Sequence, residues 1–168
     1  MNTSTNSTSS TLLDLNAMVE QTLDTVPDAP DYSNPPAGSY NLLVKDVKID
    51  SYKNKAQEDC QRLKITYSVM ETIEVADPKE SPVPDGTMFT ETFQATEMGL
   101  SFFKGRIKGI MNVSDLNGVS LGDMMNSSKG TTFACKISIK KSPKKVAGVE
   151  VAGEFYENLM IKVIPQSN

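Results

Sequence analysis

Histidine is absent from this chain of 168 residues, and so is tryptophan. The first absence removes the commonest general base and a principal metal ligand at neutral pH. The second, with aromatics at only 7%, leaves any stacking platform to a few tyrosines and phenylalanines. There is no nucleophile elbow, no Walker A loop and no GxGxxG. Cys60 and Cys135 lie far apart with no CxxC spacing, which reads as reduced thiols in a cytosolic setting. No run approaches the ~20 apolar residues of a membrane span, and MNTSTNSTSS lacks the basic and apolar regions of a secretory signal. The adjacent acids Glu58 and Asp59, and the group Asp77, Glu80 and Asp85, fall in loops that fix no geometry and read as solvated. The expectation is a protein that is not an enzyme, with no catalytic residue, no metal, no cofactor and no membrane partner.

What is present is a split in charge. The net charge is −4. Residues 1–39 hold Asp14, Glu20, Asp24, Asp28 and Asp31 and no lysine or arginine, a charge of −5. Residues 40–168 carry all 17 Lys and Arg against the remaining 16 acids, a charge of +1. An acidic segment on a near-neutral body with local basic clusters differs physically from an evenly acidic protein.

The sequence accordingly divides into a flexible acidic leader, 1–39, and one domain, 40–168. Residues 1–11 are rich in Ser, Thr and Asn and predict disorder. Leu12, Leu15, Val19 and Leu23 keep a helical rhythm that predicts a short amphipathic helix. VPDAPDYSNPPAG, with four prolines, is an extended linker. In the body, Tyr40, Leu42 and Val44 alternate in one parity and Val47 and Ile49 in the other, so a β-bulge is expected near Lys45–Asp46. Leu63, Ile65, Tyr67 and Val69 mark strand two, with Arg62, Lys64, Thr66 and Ser68 on its other face. Phe89 and Phe93 mark strand three. Thr96 can cap a helix with apolar positions Leu100, Phe103, Ile107, Ile110 and Met111. Leu116, Leu121 and Met125 suggest a second short helical piece. Strand four is Phe133, Cys135, Ile137 and Ile139, and strand five is Leu159, Ile161 and Val163, stopped by Pro165.

Three strands, a helix and two strands are the plan of a mainly β, five-stranded OB-fold-like barrel with its helix between strands 3 and 4. That fold commonly binds nucleic acid or oligosaccharide on its strand 2–3 face and its 1–2 and 4–5 loops. Tyr52, Lys53 and Lys55 fall in the expected 1–2 loop. Lys140, Lys141, Lys144 and Lys145, written KKSPKK, fall at the expected 4–5 hairpin, and Arg62 and Lys64 point out from strand two. Lysines along a groove can track a phosphate backbone, and exposed rings can stack unpaired bases. Lysines on hairpin tips also protect sheet edges from aggregation. Phe89, Phe93, Phe102, Phe103, Phe133 and Phe155 are expected in the core, and Tyr52 and Tyr156 are the expected exposed rings.

PPAGSYNLLVKDVKI, RLKITYSVMETI, GLSFFKGRIKGIM, GTTFACKISIKK and YENLMIKVIP together span about residues 35–165. In these segments the chain resembles a group of bacteriophage single-stranded DNA-binding proteins. The resemblance rests on strand patterns and turn glycines. It implies an OB-fold that coats single-stranded DNA (ssDNA) in phage replication or recombination, in the cytoplasm of the infected bacterial host. Phage replication or recombination proteins are the implied partners, and a homo-oligomer is compatible with that role. The implied nucleic-acid contacts are Tyr52, Lys53, Lys55, Arg62, Lys64, Lys140, Lys141, Lys144 and Lys145. Bacterial ssDNA-binding proteins end in an acidic partner-binding tail, whereas this chain ends KVIPQSN and carries its acidic segment at the N-terminus. The alternative expectation is a structural or adaptor protein of a phage particle, with the leader as an arm.

Overall fold

The structure, a computed structural model, describes residues 31–166. The expected disorder at 1–11 and the expected helix at 12–23 lie outside the described residues.

Five antiparallel strands form one sheet in the order β3-β2-β1-β4-β5. They are β1 Gly38–Lys53, β2 Asp59–Val75, β3 Met88–Gln94, β4 Thr132–Val146 and β5 Val149–Val163. Helix α1, Glu97–Met111, and helix α2, Leu121–Ser128, lie between β3 and β4. The parity switch in β1 has the expected cause. Val44 pairs with Tyr67 and Asp46 with Thr66, which leaves Lys45 as the extra residue of a bulge. Beyond it Val47 returns to the core, while Lys48, Asp50 and Tyr52 share the outer face.

One core draws on all five strands and on both helices. Tyr67 meets Phe89 at 5.2 Å and Phe133 at 5.7 Å between ring centroids, and Phe93 meets Phe103 edge-on at 5.6 Å. The Thr96 hydroxyl caps α1 by accepting from the Gly99 N–H, and Asn112 ends the helix in the left-handed conformation. Phe103, Ile107 and Ile110 are buried as expected, whereas Leu100 is 43% exposed. In α2 Met124 and Ser128 are buried, with Met125 only partly covered, and Leu116 is buried in the segment before the helix.

The barrel expectation meets an open sheet. No ladder joins β3 to β5 among the described residues, so the closure that a full barrel needs is missing. The sheet is nevertheless strongly curled. In a flat five-stranded sheet the edges would lie about 19 Å apart, at ~4.8 Å per strand. Here a single side chain spans them. Arg106 of α1 donates from Nε and Nη2 to the Glu91 carboxylate of β3, at 3.0 and 2.8 Å, and from Nη1 to the Ile161 carbonyl of β5, at 2.7 Å. The Tyr67 hydroxyl donates to the same carboxylate at 2.8 Å. Burial together with the Glu91 charge pushes the Tyr67 phenol well above its ordinary value.

The β4–β5 hairpin also departs from expectation. Its turn is Ala147–Gly148, with φ of 51° and 82°, the paired positive values that a two-residue hairpin turn demands. The segment KKSPKK is therefore not a loop but lies inside β4. β4 pairs with β1 only over Thr132–Ile137, so the remainder of the hairpin continues past Gly38 as a two-stranded arm.

Candidate nucleic-acid interface

The outer face of β1–β2–β3 is ordered by cross-strand register. Lys48 lies opposite Lys64, which lies opposite Thr92; Asp50 lies opposite Arg62, which lies opposite Gln94. Tyr52, expected in a loop, sits at the end of β1 and reaches across β2, its hydroxyl donating to the Gln94 side chain at 2.7 Å. The Arg62 guanidinium lies 4.7 Å over the Tyr52 ring centre; its Nε donates to Asp50 Oδ2 at 2.8 Å, and its Nη2 forms an ion pair with the same oxygen at 2.8 Å. A planar cation is thereby fixed on a planar ring. That hydrogen bond, with Lys64 and Lys48 adding their charge, holds the Asp50 carboxyl below the usual carboxylate range.

Lys48 is the residue that sequence reasoning missed. The signal was present, because once the bulge at Lys45 is accepted, Lys48 shares the outward parity of Asp50 and Tyr52. Like charges directly opposite each other destabilise a sheet, yet Lys48 and Lys64 have no ion-pair partner among the described residues. Asp50, the nearby carboxylate, is engaged by Arg62.

The remaining expected contacts divide. Lys53 is also in β1 rather than the loop, and it pairs with Asp59 at 2.9 Å. Lys55 lies in the turn proper, which Asn54 shapes by accepting from the Ala56 and Glu58 N–H groups. On the arm, Lys141 pairs with Glu157 at 3.3 Å, Lys144 with Glu154 at 2.7 Å and Lys145 with Glu150 at 3.6 Å. The four arm lysines thus face three glutamates, and Lys140, opposite Asn158, is the one of them with no acidic partner among the described residues. These pairs are exposed and weak, about 0–1 kcal/mol each, but they cut the field of the arm.

By register, the Lys53–Lys55 end of β1 and the arm lie at opposite ends of that strand. No hydrogen bond or ion pair joins the two groups among the described residues. The structure brings together Tyr52, Arg62 and Lys64, adds Lys48, and keeps Lys140, Lys141, Lys144 and Lys145 as a separate set. The aromatic expectation is also partly corrected. Phe89, Phe93, Phe103 and Phe133 are buried, but Phe102 and Phe155 are 64% and 55% exposed. Neither ring has an inward position. Phe102 lies beside the buried helix stripe, and Phe155 lies on the arm beyond the body, near Tyr156, which is exposed as expected.

Among the described residues no three His, Cys, Asp or Glu side chains gather to hold a metal ion. In the same residues no helix is long and apolar enough to cross a membrane. Burial raises the Cys135 thiol to about 12, which leaves it an inert core group. No protein-family model matches the chain, and no curated protein matches it.

Proposed function

We propose that the protein is a non-enzymatic, sequence-tolerant ssDNA-binding protein on an OB-like plan, acting in phage DNA replication or recombination in the host cytoplasm. One observation carries the reading: on the outer face of β1–β3, Lys48 and Lys64 oppose each other with no ion-pair partner among the described residues, beside a guanidinium stacked on Tyr52. Two opposed cations without an ion pair among the described residues suit consecutive phosphates, and a fixed Arg–Tyr stack suits an unstacked base of any identity. The strand order and the helix after β3 support the OB comparison, since that barrel is itself partly open. The face offers no helix to a major groove, so a single strand should be preferred over a duplex.

A gel shift with labelled single-stranded and matched double-stranded oligonucleotides tests this. The proposal expects clear preference for the single strand, and equal affinity for the duplex counts against it. A second reading, the particle protein with an arm, draws on one observation. Residues Asp31–Ser33 pair along the free edge of β3, with the Met88 N–H donating to Asp31 O at 2.8 Å and the Ser33 N–H donating to Met88 O at 3.1 Å. A leader that ends in edge pairing is one way to clasp a sheet.

A further inference from the structure

The gap between β3 and β5 is a groove of about 680 Å³, within the ~300–1,000 Å³ usual for sites that enclose small ligands. Its floor is inward-facing Phe93 and Ile161 with the Arg106 clasp, and α1 forms a third wall. Its rims belong to the outer face: Thr92 on β3, and Met160 and Lys162 on β5. Register then extends each rim. Thr92 is flanked by Lys64 and Lys48 on one side, and Lys162 lies directly opposite Lys136 on the other. None of these four lysines has an ion-pair partner among the described residues. Two opposed like-charge pairs, one on either side of an open groove, define a cationic belt around the curled sheet.

The groove offers more than charge. Phe102 and Met160 present exposed apolar surface at its mouth. Arg106 lines the groove and uses three of the five N–H donors of a guanidinium on Glu91 and Ile161, so two are not engaged by these acceptors. Gly105 points the same way. A glycine in a helix interior costs stability relative to other residues, yet a Cβ here would meet nothing within 4 Å. Packing does not require the glycine, and it keeps the α1 wall low.

We propose that this groove holds an unstacked nucleobase of the bound single strand, with Lys64, one strand behind the Thr92 rim, and Lys162, on the opposite rim, taking the flanking phosphates. The inference rests on the ssDNA reading and deepens it, because it routes the strand off the β2–β3 face and across the β3–β5 gap toward Lys136. The base packs against Phe102 and Met160. The free Arg106 donors meet ring nitrogens or carbonyl oxygens that every base possesses, which keeps the site tolerant of sequence.

The test is the affinity of a fluorescent oligothymidylate for wild type, Gly105→Leu, Phe102→Ala and Lys162→Glu, with Lys79→Glu as a surface control. A Cβ at Gly105 meets nothing within 4 Å and leucine is the better helix former, so Gly105→Leu should enter the groove with a Tm that matches or exceeds wild type while affinity falls. Phe102→Ala should lose at least about fivefold, the lower end of what one base stacked on an aromatic ring contributes. Lys79→Glu should lose less than Lys162→Glu, and an iododeoxyuridine oligonucleotide should crosslink to Phe102 or Met160. If the three groove variants bind like wild type while Lys64→Ala weakens, the groove is not on the path, although the protein remains an ssDNA binder. If Gly105→Leu changes the oligomeric state and leaves affinity unchanged, the groove docks protein and the inference is overturned. If wild type itself ignores ssDNA, the functional proposal falls first.

Discussion

Replacing Arg106 by alanine interrogates the contact on which the curled shape depends. Arg106 and Glu91 keep only 16% and 18% of their side-chain surface exposed, and three hydrogen bonds from one guanidinium join β3, α1 and β5. Removing it strands the Glu91 carboxylate beside the Tyr67 hydroxyl and leaves the Ile161 carbonyl without this donor. Breaking one partner of a buried pair costs about 3–5 kcal/mol; the residual exposure places Arg106→Ala at the lower end, about 3 kcal/mol. Against a domain stability of roughly 5–15 kcal/mol, that is severe. With a urea m-value of about 2 kcal/mol/M, the midpoint should fall by about 1.5 M. Glu91→Ala in the same background should recover part of the loss, because the uncompensated charge is then gone, and the double-mutant cycle should return a coupling above about 1 kcal/mol. A single-mutant cost below about 0.5 kcal/mol, or a coupling near zero, would refute the clasp and with it the close approach of the two edges.

Three further outcomes are expected. Asp50→Asn removes the acid that neutralises Arg62, so ssDNA affinity should rise and its salt dependence should steepen; unchanged binding removes Arg62 from the interface. In native protein a thiol reagent should modify Cys60 and spare Cys135, whose thiol is held protonated up to about 12. Because unfolding releases Cys135 to an ordinary value near 8.5, its contribution to stability is intact below that pH and is lost as pH rises towards 12. Cys135→Ala should flatten that part of the stability profile measured by urea titration. Deleting the acidic residues 1–30 should tighten ssDNA binding at low salt and matter little at about 0.5 M, where screening is nearly complete; weakened binding or lost oligomerisation would favour the arm reading.

The elements that the sequence made legible are those governed by local periodicity. Alternation in strands one, two and four, the parity switch at Lys45 and the Thr96 cap each follow from one residue's effect on its neighbours. The hairpin tip was misplaced because Ser142–Pro143 carries turn chemistry, while the positive φ pair falls at Ala147–Gly148. The neutralisation of KKSPKK depends on register across that turn, which brings Glu150, Glu154 and Glu157 beside lysines up to sixteen residues earlier. Lys48 was readable from parity, but it was overlooked because it belongs to no cluster in sequence. The β3–β5 groove had no local signature, since it arises from how far the sheet curls before α1 stops it.

The salt dependence of ssDNA affinity, measured for wild type and for a Lys48→Ala, Arg62→Ala, Lys64→Ala triple variant shown to be folded by circular dichroism, tests the central claim most directly. Each phosphate contact on a single strand contributes about 0.7 to the slope of log K against log salt. The account predicts that the triple variant binds more weakly and that its slope is shallower by about 1.4, the share of Lys48 and Lys64, since Arg62 is neutralised by Asp50. A folded triple variant with the wild-type affinity and slope would contradict it.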